Sequence, residues 1–184
     1  NGWSYGGLTA LTDREYALVE STPEGGGPAV RNERLIEPYT SYNVARVQKD
    51  LAGGSTVGGS TSAVVRDQDL DAYTGSIDYT VRWDSNKYNW NGQWSGTRSA
   101  IDGEMKTGFG GVTNLNYNSK HLNVFGHYDY FNSPFKNNDP GFFSNRNNKT
   151  QVNGGFNVGN PDPGKVLRRV NVNTSYFTQY NGDW

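Results

Sequence analysis

Residues 73–83 read YTGSIDYTVRW, and their alternation decides the fold class. Tyr73, Gly75, Ile77, Tyr79, Val81 and Trp83 fall on one side of an extended chain, with Thr74, Ser76, Asp78, Thr80, Arg82 and Asp84 on the other, because successive side chains of a strand point to opposite faces. The pattern recurs outward from this stretch. Tyr88, Trp90, Gly92 and Trp94 oppose Asn89, Asn91, Gln93 and Ser95. Leu122, Val124, Gly126, Tyr128 and Tyr130 oppose Asn123, Phe125, His127 and Asp129. Val170, Val172, Thr174 and Tyr176 oppose Arg169, Asn171, Asn173 and Ser175. No window of about 12 residues keeps a helical stripe.

The reading is therefore all-β, with strands at 3–20 (broken near Arg14), 39–50, 55–66, 71–84, 87–99, 103–118, 120–132, 150–159 and 165–180. Most are long enough to cross a bilayer at a tilt, which takes about 9–11 residues. The connections between them alternate long and short, as an up-and-down meander with tight turns at one rim predicts. Aromatic residues such as Trp3, Tyr39, Tyr42, Trp83, Tyr88, Tyr130 and Tyr180 stand near strand ends, where interfacial girdles lie. The expected fold is an antiparallel up-and-down meander of about nine long strands, forming part of a transmembrane-type β-barrel. One stretch, STVGGSTSAVV at 55–65, fits less well because neither of its faces is strongly apolar.

Composition narrows the function classes. The 184 residues are 33% hydrophobic and 14% aromatic, with 24 glycines, and the mean hydropathy is -0.81. Disordered chains lack such aromatic content. The net charge of -1 and 17 scattered basic residues leave no basic footprint for nucleic acid. Without cysteine, there is neither a disulfide nor a thiolate metal site.

Several groups of residues invite a chemical reading. Asp67, Asp69 and Asp71 have the spacing of a calcium loop, but Ala72 and Asp78 stand where that loop needs Gly and a bidentate Glu; an acidic hairpin loop is the simpler account. His121 and His127 lie about 20 Å apart along a strand, too far to share an ion. Asp102 and Glu104 resemble a glycosidase pair, yet Asp102-Gly103 is also a strong turn signal. The glycines of GFGG at 108–111 lie inside a strand pattern, where they mark a bulge, a bend or a close packing partner. The sequence offers no nucleophile elbow, and no catalytic residue, metal site or cofactor is expected. In the stretch NSPFKNNDPGFFSNRNNKT at 132–150, Asp139, Phe142, Phe143 and Arg146 are the candidates for contact with a ligand or partner, on a long loop shaping the outer mouth.

Three stretches carry a family likeness: GWSYGGLTALTDREYA at 2–17, EPYTSYNVARVQKDLAGGSTVGGSTSAVVRD at 37–67 and DPGFFSNRN at 139–147. They resemble a family of large bacterial outer-membrane proteins that join a module like family-9 carbohydrate-binding modules to a C-terminal β-barrel domain of unknown function. The likeness covers essentially the whole chain and lies within the barrel part. Phe143 stands where the family often has Leu, and the carbohydrate-binding module is absent from these residues. The resemblance implies residence in the bacterial outer membrane and no established chemistry.

The expected function is an outer-membrane barrel segment acting as a pore, transport scaffold or surface anchor, with a link to glycan handling. Its expected partners are the lipid bilayer, glycans, and further strands of the same barrel or a partner protein. Nine strands leave two open edges, whereas single-chain bacterial barrels have even strand numbers; residues 1–184 are thus expected to be one partial barrel domain of a longer chain. The alternative is a soluble β-rich carbohydrate-binding or interaction module, with Trp90 or Trp94 stacking on sugars.

Overall fold

The computed structural model describes residues 2–22, 27–137, 147–162 and 164–181. Eleven strands are found among them: β1 (Trp3–Thr12), β2 (Glu15–Ser21), β3 (Val30–Glu37), β4 (Thr40–Asp50), β5 (Thr56–Arg66), β6 (Ala72–Trp83), β7 (Tyr88–Ile101), β8 (Glu104–Asn118), β9 (Leu122–Phe131), β10 (Lys149–Asn160) and β11 (Val170–Tyr180). Nine form one antiparallel sheet in the order β1-β4-β5-β6-β7-β8-β9-β10-β11, and β2 pairs with β3 as a separate two-stranded sheet. The large sheet is a meander, each strand lying beside its successor once the β2–β3 hairpin is set aside. It is open: β1 and β11 are its edges among the described residues.

Three expectations need correction. The region 21–38 is not a plain loop, because β3 lies within it and returns along β2. The glycines at 25–27 hid this hairpin from a search for alternating apolar residues, as did the charges of VRNERLIE. The last strand starts at Val170 rather than at 165, because Gly164 N–H donates to Leu167 O at 2.8 Å and closes a turn there. The alternation of loop lengths is also imperfect. One rim carries the connections 13–39, 67–71, 102–103 and 132–148, the other 51–55, 84–87, 119–121 and 161–169. The Asp102-Gly103 turn on the first rim is the tightest of all, with φ of 54° and 78°, as an Asp-Gly hairpin requires.

Register sorts the side chains. One line across the sheet runs Gln48, Gly58, Asp78, Gln93, Val112, Asp129, Gln151 and Gln179. On the opposite face, a line near the rim of the 84–87 turn runs Trp83, Tyr88, Tyr117, Val124 and Phe156. Trp83 stacks on Tyr88 at 5.0 Å, and Tyr88 meets Tyr117 at 4.9 Å. The alternations of β6, β7, β9 and β11 are thus in phase, giving one predominantly polar and one predominantly apolar face across the sheet.

The apolar face is uncovered: Ile77 is 61% exposed, Leu115 52% and Tyr176 63%. Among the described residues the buried hydrophobic ones are Val64, Ala72, Phe131 and Phe135, and the first three belong by register to the polar face. This distribution is inverted relative to a sheet of a water-soluble domain, which packs its apolar face into a core.

Candidate functional site on the polar face

Two hydrogen-bonded groups organise the polar face. In the first, Arg46 on β4 reaches over β5 to Asp78 on β6, with Nη1 donating to Oδ2 at 2.7 Å and Nη2 to Oδ1 at 2.8 Å. This bidentate geometry fits guanidinium to carboxylate. Gly58 makes the crossing possible, because a Cβ there would lie 2.9 Å from Asp78 Oδ2 and 3.0 Å from Arg46 Nη2. Beside the pair, the Ser60 and Ser76 hydroxyls bond at 2.6 Å.

The second group crosses β7 to β10. Asn91 Nδ2 donates to Asn89 Oδ1 at 2.7 Å, and Asn114 Nδ2 to Asn91 Oδ1 at 3.1 Å. Asn114 Oδ1 then accepts from His127 Nδ1 at 2.6 Å. His127 Nε2 faces Asp129 Oδ2 at 3.7 Å, and Lys149 Nζ approaches the same oxygen at 3.4 Å. Asp129 is 3% exposed, and its Oδ1 has no hydrogen-bond partner among the described residues. Side-chain networks of this kind are cooperative in a low dielectric.

Over the β7–β8 part of this face lies the beginning of the 132–148 connection. Phe135 meets Phe131 at 5.0 Å between ring centroids. The Lys136 amide donates to Thr97 Oγ1 at 3.2 Å, and its ammonium to Ala100 O at 3.1 Å. Gly108 admits the segment: a Cβ there would be 2.3 Å from Phe135 Cα. Gly110 likewise lies against the Phe131 ring, and Gly111, on the other face, against the Trp94 indole. The glycines of GFGG are close packing partners.

At the rim carrying the long connections, the three aspartates of 67–71 have separate partners. Asp67 pairs with Arg14, Asp69 accepts from the Leu70 amide at 2.7 Å, and Asp71 accepts from the Arg66 amide at 3.0 Å and the Tyr73 hydroxyl at 2.8 Å. No group of three metal-ligating side chains occurs among the described residues. The Arg66 N–H, and then the Tyr73 O–H, hold the Asp71 carboxyl below the 3.8 of an unperturbed aspartate. A depressed carboxyl favours the folded loop at pH above its unfolded pKa, and that contribution is lost as pH falls through the folded value. A carboxyl-carbon NMR titration should place the Asp71 midpoint below 3.8, and Tyr73→Phe should raise it; a midpoint at or above 3.8 would contradict the assignment.

Of the other sequence candidates, Asp102 and Glu104 flank the tight turn, and His121 Nδ1 lies 3.1 Å from Gly159 O. Asp139, Phe142, Phe143 and Arg146 lie outside the described residues. Phe135 and Lys136, which pack over the polar face, were not anticipated; the available signal was the spacing of small residues in GFGG, which leaves room for something bulky above it.

The geometry defines a class: an open antiparallel meander with a hydrogen-bonded polar face and an uncovered apolar one. The family model described as Domain of unknown function (DUF5916) matches residues 1–183, and the chain belongs to that family. No curated protein and no solved structure matches it.

Proposed function

We propose that the chain is wall of a bacterial outer-membrane β-barrel, serving as a pore, transport scaffold or surface anchor, with a role in glycan handling and no chemistry of its own. The observation that carries this reading is the inversion of the sheet. An apolar face with Ile77, Leu115 and Tyr176 in the open is suited to lipid, and the Arg46–Asp78 and Asn–His–Asp–Lys groups to a wet interior.

The aromatic side chains add support, because polar atoms on a lipid face need partners within the protein. Tyr79 Oη and Trp90 Nε1 converge on Thr113 Oγ1 at 2.7 and 2.9 Å. Trp3, Trp83, Tyr88 and Tyr117 form a belt at one rim, where Lys49 Nζ sits 4.5 Å from the Trp3 ring. A closed barrel requires the open edges of β1 and β11 to be paired.

A soluble carbohydrate-binding module is the second reading, favoured by the 45% exposure of Trp90. Against it, the Trp90 ring packs against Tyr79 at 4.7 Å between centroids, and Trp94 stacks on Phe109 at 5.5 Å. Extraction separates the two. The barrel reading expects the chain to stay with membranes in alkaline carbonate and to leave only in detergent; release into aqueous buffer would reject it.

A further inference from the structure

Beside the Arg46–Asp78 pair, a cleft of about 370 Å3 opens between the polar face of β4–β7 and the 132–137 segment, within the roughly 300–1,000 Å3 of small-molecule sites. It exists because β5, β6 and β7 present serine and threonine there. Among its lining residues are Ser62, Thr74, Gln93, Ser95 and Asn137. None of these five side chains has a hydrogen-bond partner among the described residues. Phe135, 6% exposed, adds an apolar patch to the lining.

We infer that this cleft binds a neutral polyhydroxylated solute, of the size of a mono- or disaccharide or a polyol. The inference rests on the polar face being the water side of the barrel and names the solute class held there. Charge excludes the alternatives. Arg46 is the charged residue of the described lining, and both of its terminal nitrogens are engaged by Asp78. An anion or an ammonium would find no free counter-charge among the described lining residues. Hydroxyl and amide groups each donate and accept, so their complement is a ligand whose groups also do both, namely alcohols. Carboxylates accept only, and quaternary ammonium groups offer no N–H or O–H donor. The Phe135 patch fits the C–H face of a sugar ring, which a purely polar solute lacks.

The test is calorimetric titration of the purified full chain, in detergent if extraction requires it, with maltose, cellobiose and sorbitol, and with glutamate and choline as charged comparators. Saturable binding of at least one neutral probe is expected, with none for the charged pair. Gln93→Ala and Ser95→Val should each weaken it about tenfold, the effect of losing one or two hydrogen bonds. Thr74→Val, which keeps shape and β-propensity, serves as a further variant if either fails to fold. No binding of any neutral probe, binding of the charged probes as tight as that of the neutral ones, or unchanged affinity in folded variants would each overturn the assignment. Extraction is read separately. A water-soluble chain that binds sugar removes the barrel and keeps the cleft, whereas a detergent-requiring chain that binds none removes the cleft alone.

Discussion

On the proposed barrel reading, Ile77→Arg will destabilise insertion of the chain into lipid by about 2–4 kcal/mol, whereas Thr80→Arg, on the same strand, will leave insertion intact. Ile77 stands in the middle of β6, between Gly59 and Trp94 in register, and is 61% exposed on the apolar face. A lipid-facing arginine near the bilayer midplane costs about 2–4 kcal/mol. That cost is a large share of the roughly 5–15 kcal/mol by which a folded domain is stable. Thr80 lies on the polar face beside Thr56 and Asn91, the face that the proposal gives to water and where a guanidinium would stay hydrated. The measurement is the folded fraction in vesicles, read by protease protection. Equal protection of both variants would show that the two faces see the same surroundings.

The second large effect is expected at Gly108. Valine there would place its Cβ 2.3 Å from Phe135 Cα and 2.5 Å from Pro134 O, both backbone atoms that cannot turn aside. Cores resist added methylenes at a cost of about 1–3 kcal/mol even when side chains absorb the strain. The 132–137 segment should therefore leave the polar face. Its anchors on Thr97 and Ala100 would break while the β7–β8 ladder, which uses no Cβ, persists. Limited proteolysis within 132–137 should accelerate about tenfold or more, as expected when local opening falls in free energy by over 1.4 kcal/mol, with sheet content by circular dichroism unchanged. Wild-type resistance in Gly108→Val would contradict the packing described.

Much of this architecture was legible in the sequence, for an identifiable reason. A strand with one predominantly apolar face declares its orientation by period alone, and β6, β7, β9 and β11 do so. The sheet order followed because a meander pairs each strand with the next. Features that depend on a third strand were not legible. Nothing local to Arg46, Gly58 or Asp78 reveals that the first crosses the second to reach the third; that follows only from the register Gln48–Gly58–Asp78. The stretch STVGGSTSAVV looked like a poor membrane strand for the same reason. Its Gly58 leaves room for the ion pair, and Ser60 and Ser62 line the cleft. The Asn89–Asn91–Asn114–His127–Asp129–Lys149 series likewise spans four strands. The β2–β3 hairpin escaped because its charged residues, of which Glu20 and Arg31 pair across the two strands, do not mark a face.

The central claim is that one face of the sheet meets lipid and the other water. Since the chain contains no cysteine, single substitutions report without background. Ile77→Cys, Leu115→Cys and Val152→Cys sample the apolar face, and Thr80→Cys, Asn116→Cys and Asn153→Cys the polar one. Each is to be labelled with an environment-sensitive fluorophore in vesicles containing nitroxide lipid. The account predicts blue-shifted, lipid-quenched emission from the first three and water-like, unquenched emission from the second three. Water-like emission from all six would contradict it.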